Sequence, residues 1–296
     1  MDDNLLKDLI NSLIEDKRAE RKYKIITRGV FIAIFLGIIF LPFFLTNSNN
    51  YTQKHTALIN IEGVVTPTGI NTSETIKLVQ QAIDNQMCEN IILKINSPGG
   101  SATQSKIIFD EINKLKSSSK KKIYSVIDDV GASGGYYIAA SGNMIFANSS
   151  SIVGSIGVRL DSFNIKSLAK KLGIESRTIS SGGDKLILDP FQSLTPEHKR
   201  HLESLVTGIH QEFIDDIKIA RGSVLKADEV FTGLFWTGAQ AKELGLIDEV
   251  GSIYDVNRKY LNNSKLIVYN KKPNFLQEIM GSIVSNWSES SIGFTY

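Results

Sequence analysis

From Ala57 onward the chain alternates short apolar runs with stretches in which apolar residues recur every three or four positions. The first pattern is that of buried strands and the second that of one-faced helices. Leu58-Ile59-Asn60-Ile61 and Asn90 to Ile95 read as strands. Ser73 to Asp84 reads as a helix with Ser73 as N-cap, and Ser101 to Leu115 as a helix with Ile108, Ile112 and Leu115 on one face. The alternation continues through Lys122 to Ile127, Ser133 to Ala140, Met144 to Ala147, Ile165 to Leu172 and Ser176 to Ile179. It predicts an α/β domain with a largely parallel sheet. A long helix follows, starting at Thr195 with Pro196 in its first turn and ending near Arg221, with Leu202, Leu205, Ile209, Phe213 and Ile217 as its buried stripe. A short one, Gly238 to Leu244, stops before Gly245, the residue type suited to a left-handed C-cap.

The first fifty residues follow a different pattern. Leu5, Leu6, Leu9, Ile10, Leu13 and Ile14 give residues 3–20 an amphipathic helical face, which suits a membrane surface, a partner helix or neither. A basic cluster of Lys17, Arg18, Arg21, Lys22, Lys24 and Arg28 precedes an apolar run from Val30 to Leu45. As a helix that run covers roughly 24 Å of a roughly 30 Å hydrocarbon core, and Ile25, Ile26 and a snorkelling Arg28 extend it. It begins well inside the chain, and no convincing small-residue cleavage site precedes Asn49, so an uncleaved anchor is expected over residues 25–46 rather than a signal sequence. Positive charge is dense before the run and absent after it until Lys54. The N-terminal 24 residues are therefore expected in the cytoplasm and everything after the anchor outside it. Residues 47–55 read as a linker, 56–270 as the main domain, and 271–296 as a tail.

Composition narrows the classes. The chain has 296 residues, a net charge of +2 with acids and bases mixed outside the N-terminus, and one cysteine. No nucleic-acid footprint is present, and Cys88 alone supports neither a disulfide framework nor a cysteine metal cluster. No cofactor or metal is expected.

Four Gly- and Ser-rich segments carry the candidate chemistry. Gly131-Ala132-Ser133-Gly134-Gly135-Tyr136-Tyr137 lies between a strand and a helix, where a sharp turn presents a serine hydroxyl; a tight packed turn fits the same residues. A serine nucleophile needs a base. The four histidines fall on the expected linker (His55) or the long helix (His198, His201, His210), positions that read as solvated surface. A buried lysine serves instead. Lys185 stands between Ser181-Gly182-Gly183-Asp184 and the apolar Leu186-Ile187-Leu188, so its stem is expected to be partly desolvated; a loop lysine in solvent fits the same residues. Val153-Gly154-Ser155-Ile156-Gly157 offers a hydroxyl between glycines, and Asn96-Ser97-Pro98-Gly99-Gly100-Ser101 a turn whose free NH groups suit an oxyanion, a phosphate or nothing at all.

In this order and spacing, these segments resemble the signal peptide peptidase A family (peptidase family S49), short form. Asp189-Pro190-Phe191 and Trp236-Thr237-Gly238 leading into Glu243-Leu244-Gly245 add to the resemblance, which covers about Ala57 to Val256. It implies a fold of the Clp protease and crotonase superfamily and a membrane-anchored serine endopeptidase that cleaves apolar peptides such as remnant signal peptides. The resemblance assigns Ser133 as nucleophile, Lys185 as general base, Ser155 as the hydroxyl that orients the lysine, and Gly100 and Gly134 as the oxyanion-hole donors. It also implies a ring- or dome-shaped homo-oligomer in which the serine and the lysine can come from neighbouring subunits. Asp184 departs from the neutral or aromatic residue that suits a lysine base. Two other classes share the scaffold: an acyl-thioester enzyme, disfavoured outside the cytoplasm, and a catalytically silent scaffold in a membrane complex, disfavoured by an intact Ser133, Ser155 and Lys185.

Overall fold

A computed structural model describes residues 17–18, 20–36, 53–66 and 69–270. The predicted amphipathic face from Leu5 to Ile14 and the tail 271–296 lie outside the described residues, as does the predicted anchor beyond residue 36. Residues 20–36 are helical, and their apolar side chains, among them Ile25, Phe31 and Phe35, are exposed. Among the described residues no helix is long and apolar enough to cross a membrane.

The second compact unit begins at Gln53. Its elements are β1 (His55–Glu62), α1 (Thr72–Asp84), β2 (Cys88–Ser97), α2 (Ala102–Ser117), β3 (Lys122–Ala132), α3 (Gly134–Ala139), β4 (Met144–Ala147) and β5 (Ile152–Gly154). These are followed by α4 (Lys166–Lys171), α5 (Pro196–Arg221), β6 (Phe235–Thr237), α6 (Gly238–Leu244), β7 (Glu249–Val250), α7 (Ile253–Tyr260) and β8 (Leu266–Val268). The strands form one sheet in the order β6-β5-β3-β2-β1-β8, with β4 joined to β3 and β7. Every pairing is parallel except β5 with β6. This is the expected α/β class with a largely parallel sheet. Strands covered on both faces read as continuous apolar runs, and Ile59, Ile61, Ile91, Ile92, Leu93, Ile95, Ile123 and Ile127 are accordingly fully buried.

One feature of β3 decides where the site falls. Its first half, Tyr124 to Ile127, pairs with β4, and its second half, Val130 to Ala132, pairs with β5. Between them Asp128 and Asp129 are exposed and interrupt the apolar run. Lys94 Nζ bonds Asp128 at 2.9 Å, the Asn96 side chain accepts from Val130 N at 3.2 Å, and the buried Ser151 hydroxyl donates to the Asp128 carbonyl. The fork delivers the end of β3 to a different neighbour from its start, and the chain turns there into α3.

Several expectations shift. The N-cap of α1 is Asn71, whose side chain accepts from Glu74 N, rather than Ser73. His55 belongs to β1 and is buried, with its Nε2 2.8 Å from the Tyr269 hydroxyl, so it is neither linker nor surface. Ser176 to Ile179 forms no strand; Ile179 is 98 % exposed and finds no sheet edge. On α5 only Phe213 and Ile217 of the predicted stripe are buried, because the N-terminal half of the helix overhangs a cleft instead of the core. The α6 boundaries and the left-handed Gly245 cap (φ 81°) are as expected.

The C-terminal end of α5 is fixed by Arg221, which is 6 % exposed. Its guanidinium donates to both Asp248 carboxylate oxygens at 2.9 Å and to the Gly245 carbonyl at 3.0 and 3.1 Å. Arg221→Ala removes the counter-charge of a mostly buried carboxylate, which among the described residues keeps only the Ile145 NH at 2.7 Å, and is expected to cost about 3–5 kcal/mol. Urea unfolding should show a lower midpoint at unchanged slope; a loss under about 1 kcal/mol contradicts this role.

Candidate active site

Ser133 closes the second half of β3 and caps α3 with φ 51° and ψ −121°, a conformation that non-glycine residues rarely adopt. Such strain persists only where the surroundings over-determine it. Here the Ser133 NH donates to the Gly154 carbonyl at 2.8 Å, and its carbonyl accepts from Tyr137 N at 2.9 Å. Close backbone packing adds to this. A Cβ on Gly99 would fall 2.8 Å from Ser133 Cβ and 2.7 Å from Gly134 N, and one on Gly135 would fall 2.4 Å from the Ser97 carbonyl. The glycine at 135 thus makes room for the chain's own β2, and Gly131 for the Ile127 side chain.

Gly100 and Gly134 meet beside Ser133. The ideal Cβ position of Gly134 is 3.4 Å from Gly100 N. Gly100 sits at φ 147° in a parallel bridge to Val65 that uses the Gly99 carbonyl and the Ser101 NH, each at 2.8 Å, and not the Gly100 NH. Gly134 is the first residue of α3, so its NH has no acceptor within the helix. Two backbone donors therefore converge next to a hydroxyl, which is the arrangement that stabilises a developing oxyanion. A Cβ at position 100 would meet the Val65 carbonyl at 2.4 Å. Gly100→Ala is accordingly expected to lower kcat about 100-fold or more. Steady-state kinetics on a peptide substrate check this, and a loss under about threefold contradicts it.

Ser155 lines the same cleft of about 1170 Å³ as Gly99, Gly100, Ser133 and Gly134. It too has positive φ (53°), and its NH donates to the Leu234 carbonyl at 2.6 Å. Of the predicted site residues, Ser133, Ser155, Gly100 and Gly134 thus come together, while Lys185 does not join them. It lies in the turns spanning 182–189, is exposed, and does not line the cleft. The expected desolvation of its stem is absent in the single chain, because Leu186 and Ile187 are only partly covered and Leu188 is exposed. Asp184 turns to His198, with Oδ1 2.8 Å from Nε2.

Three cleft residues escaped the sequence reading. His210, expected on the surface, is half-buried and lines the cleft with Nε2 3.1 Å from the Ile156 carbonyl. Tyr137 stacks on Phe213 at 4.2 Å between ring centroids and donates its hydroxyl to Asp216; burial first and the Asp216 carboxylate second push that hydroxyl far above its ordinary pKa. Lys106 is the only lysine lining the cleft among the described residues. Burial opposes its charge, but Asp216 at 2.8 Å and Asp110 at 3.3 Å outweigh burial and raise its pKa, so it stays an ammonium rather than a base. These groups meet only in the folded chain, and no local motif announces them. Among the described residues no group of three or more His, Cys, Asp or Glu side chains is arranged to hold a metal ion.

Residues 47–153 match the profile described as Clp protease, and residues 115–266 match Peptidase family S49. The chain belongs to peptidase family S49. A Synechocystis protein named "Putative protease slr0021" is 32 % identical over 208 residues, which cover 70 % of this chain and 73 % of that protein. An Enterococcus faecium protein named "Putative signal peptide peptidase SppA" is 27 % identical over 252 residues, 80 % of this chain and 73 % of that one. A Brucella melitensis protein named "Na(+)/H(+) antiporter NhaA" is 40 % identical over 208 residues, which are 70 % of this chain but only 28 % of the Brucella protein. The match thus spans little more than a quarter of that relative, whose name describes a much longer chain.

Proposed function

We propose that this chain is a membrane-anchored serine endopeptidase that cleaves apolar peptides, remnant signal peptides among them, with a Ser133–Lys185 dyad. The observation that carries the reading is the convergence of Ser133, held at positive φ, with the Gly100 and Gly134 NH groups in one cleft. Ser133 Oγ attacks the scissile carbonyl, its proton passes to neutral Lys185, and the two NH groups hold the oxyanion. Lys185 then protonates the leaving amine and takes a proton from the water that hydrolyses the acyl-enzyme. Ser155 orients the lysine. No metal or cofactor takes part.

The exposed Lys185 and the charged Lys106 together favour a dyad made between subunits. Burial is what turns a lysine amine into a base, so this reading requires that Lys185 be covered by the cleft of a second copy in a homo-oligomer. The relative named for signal peptide peptidase supports the substrate class. The basic cluster from Lys17 to Arg28 and the apolar run after it support an anchor with a cytoplasmic N-terminus and a peptidase domain outside the inner membrane.

A reporter fused after Tyr296 tests the topology. It should be active only on the outer side, and activity in the cytoplasm would overturn the orientation.

A further inference from the structure

The two oxyanion donors stand at the starts of different helices. Gly100 stands just before α2 and Gly134 opens α3, so the width of the cradle depends on how those helices are held against each other. They touch closely at one point, where a Cβ on Gly134 would fall 2.2 Å from Ser105 Oγ. The neighbouring residue of α2 is Lys106, and one turn into α3 is Tyr137. Both donate to the same atom, Asp216 Oδ2 on α5: Lys106 Nζ at 2.8 Å and the Tyr137 hydroxyl. The Asp216 side chain is 17 % exposed, and its helix also stacks Phe213 on the Tyr137 ring.

We infer that Asp216 is a positioning residue for the oxyanion hole, an assignment that rests on the peptidase reading above. A single carboxylate oxygen ties the helix behind each NH donor to the long helix that overhangs the cleft. The bonds are charge-assisted, and charge-assisted bonds to a mostly buried carboxylate are short and directional. Loss of the carboxylate frees α2 and α3 to separate. It leaves Ser133 and the peptide-binding surface in place but widens the gap between the Gly100 and Gly134 NH groups. The transition state, which alone carries the full oxyanion charge, then loses more than the bound substrate does.

The test compares Asp216→Ala, Asp216→Asn and a neighbouring control, Asp215→Ala, in the full chain. Asp215 is exposed, and among the described residues its side chain bonds only Gln211 on its own helix. Asp216→Ala is expected to lower kcat about 10- to 100-fold with KM within about threefold. Asp216→Asn, which keeps an acceptor oxygen without the charge, should fall between it and wild type, and Asp215→Ala should match wild type. Should Asp216→Ala fail to fold, Asp216→Asn and Tyr137→Phe carry the comparison. A kcat within twofold of wild type in the folded Asp216 variants, or a loss confined to KM, overturns the assignment. Amide hydrogen exchange reads the clamp without substrate: residues 100–101 and 134–137 should both exchange faster in the Asp216 variants. Unchanged exchange there overturns the clamp even if the chain proves not to cleave peptides, whereas faster exchange without peptide cleavage would sink the peptidase reading alone.

Discussion

Ser133→Ala is expected to remove peptide hydrolysis almost entirely, by about 10⁴-fold or more in kcat. The size follows from what the residue does in the proposed reaction. In that reaction the hydroxyl forms the covalent bond to the substrate, Ser155 has the separate task of orienting the lysine, and His210 has its Nε2 against the Ile156 carbonyl. Residual turnover would come from the oxyanion donors and from binding alone. The variant should fold normally. Alanine removes only the hydroxyl oxygen, and Ser133 makes no side-chain cap to α3, so thermal unfolding should shift little. It tolerates φ 51° no better than serine does, so the strain is unchanged rather than relieved. A folded Ser133→Ala protein that cleaves as fast as wild type would sink the assignment of the nucleophile.

Lys185→Ala is expected to cost a comparable factor, about 10³-fold or more. This is a large effect for a residue that is exposed and lies outside the cleft of its own chain. Substitutions of exposed loop lysines ordinarily change little. The single chain therefore offers a sharp contrast: a surface residue outside the cleft should matter nearly as much as the nucleophile. Lys106→Ala does not share this expectation. Lys106 is held charged by Asp216 and Asp110, so its removal loosens the clamp between α2 and α5 without taking away a base. A Lys185→Ala enzyme within about tenfold of wild type in kcat would mean that another group takes the proton from Ser133.

Much of this site was legible in the sequence, because its key positions are set by local backbone demands. Gly99, Gly100, Gly134 and Gly135 stand where a side chain would strike backbone or Ser105, and Ser133 stands at a strand-to-helix turn; such constraints leave a motif in adjacent residues. The strands were legible for a similar reason, since Ile91, Ile92, Leu93 and Ile95 in one and Ile123, Val126 and Ile127 in the other are buried and so read as apolar runs that only Lys94 and Ser125 interrupt among the strongly polar side chains. The region 158–195 was less so. Ser176 to Ile179 has strand-like composition but no neighbouring edge to pair with, and the apolar Leu186 to Leu188 next to Lys185 suggested burial that the single chain does not supply. Apolar residues in that stretch report a need for cover without saying what provides it. The contributions of α5 were hidden for another reason. His210, Phe213 and Asp216 reach the site from about eighty residues downstream of Ser133, and only the packing of α5 across the cleft brings them there.

Mixing the two inactive variants tests the central claim most directly. Ser133→Ala and Lys185→Ala proteins are purified separately, dissociated, combined in equal amounts and allowed to reassemble, and peptide cleavage is then measured. If each site takes its serine from one subunit and its lysine from the next, random assembly leaves about a quarter of the sites with both groups, and about a quarter of wild-type activity should return. No recovery from a mixture shown to have reassembled would contradict a dyad shared between subunits.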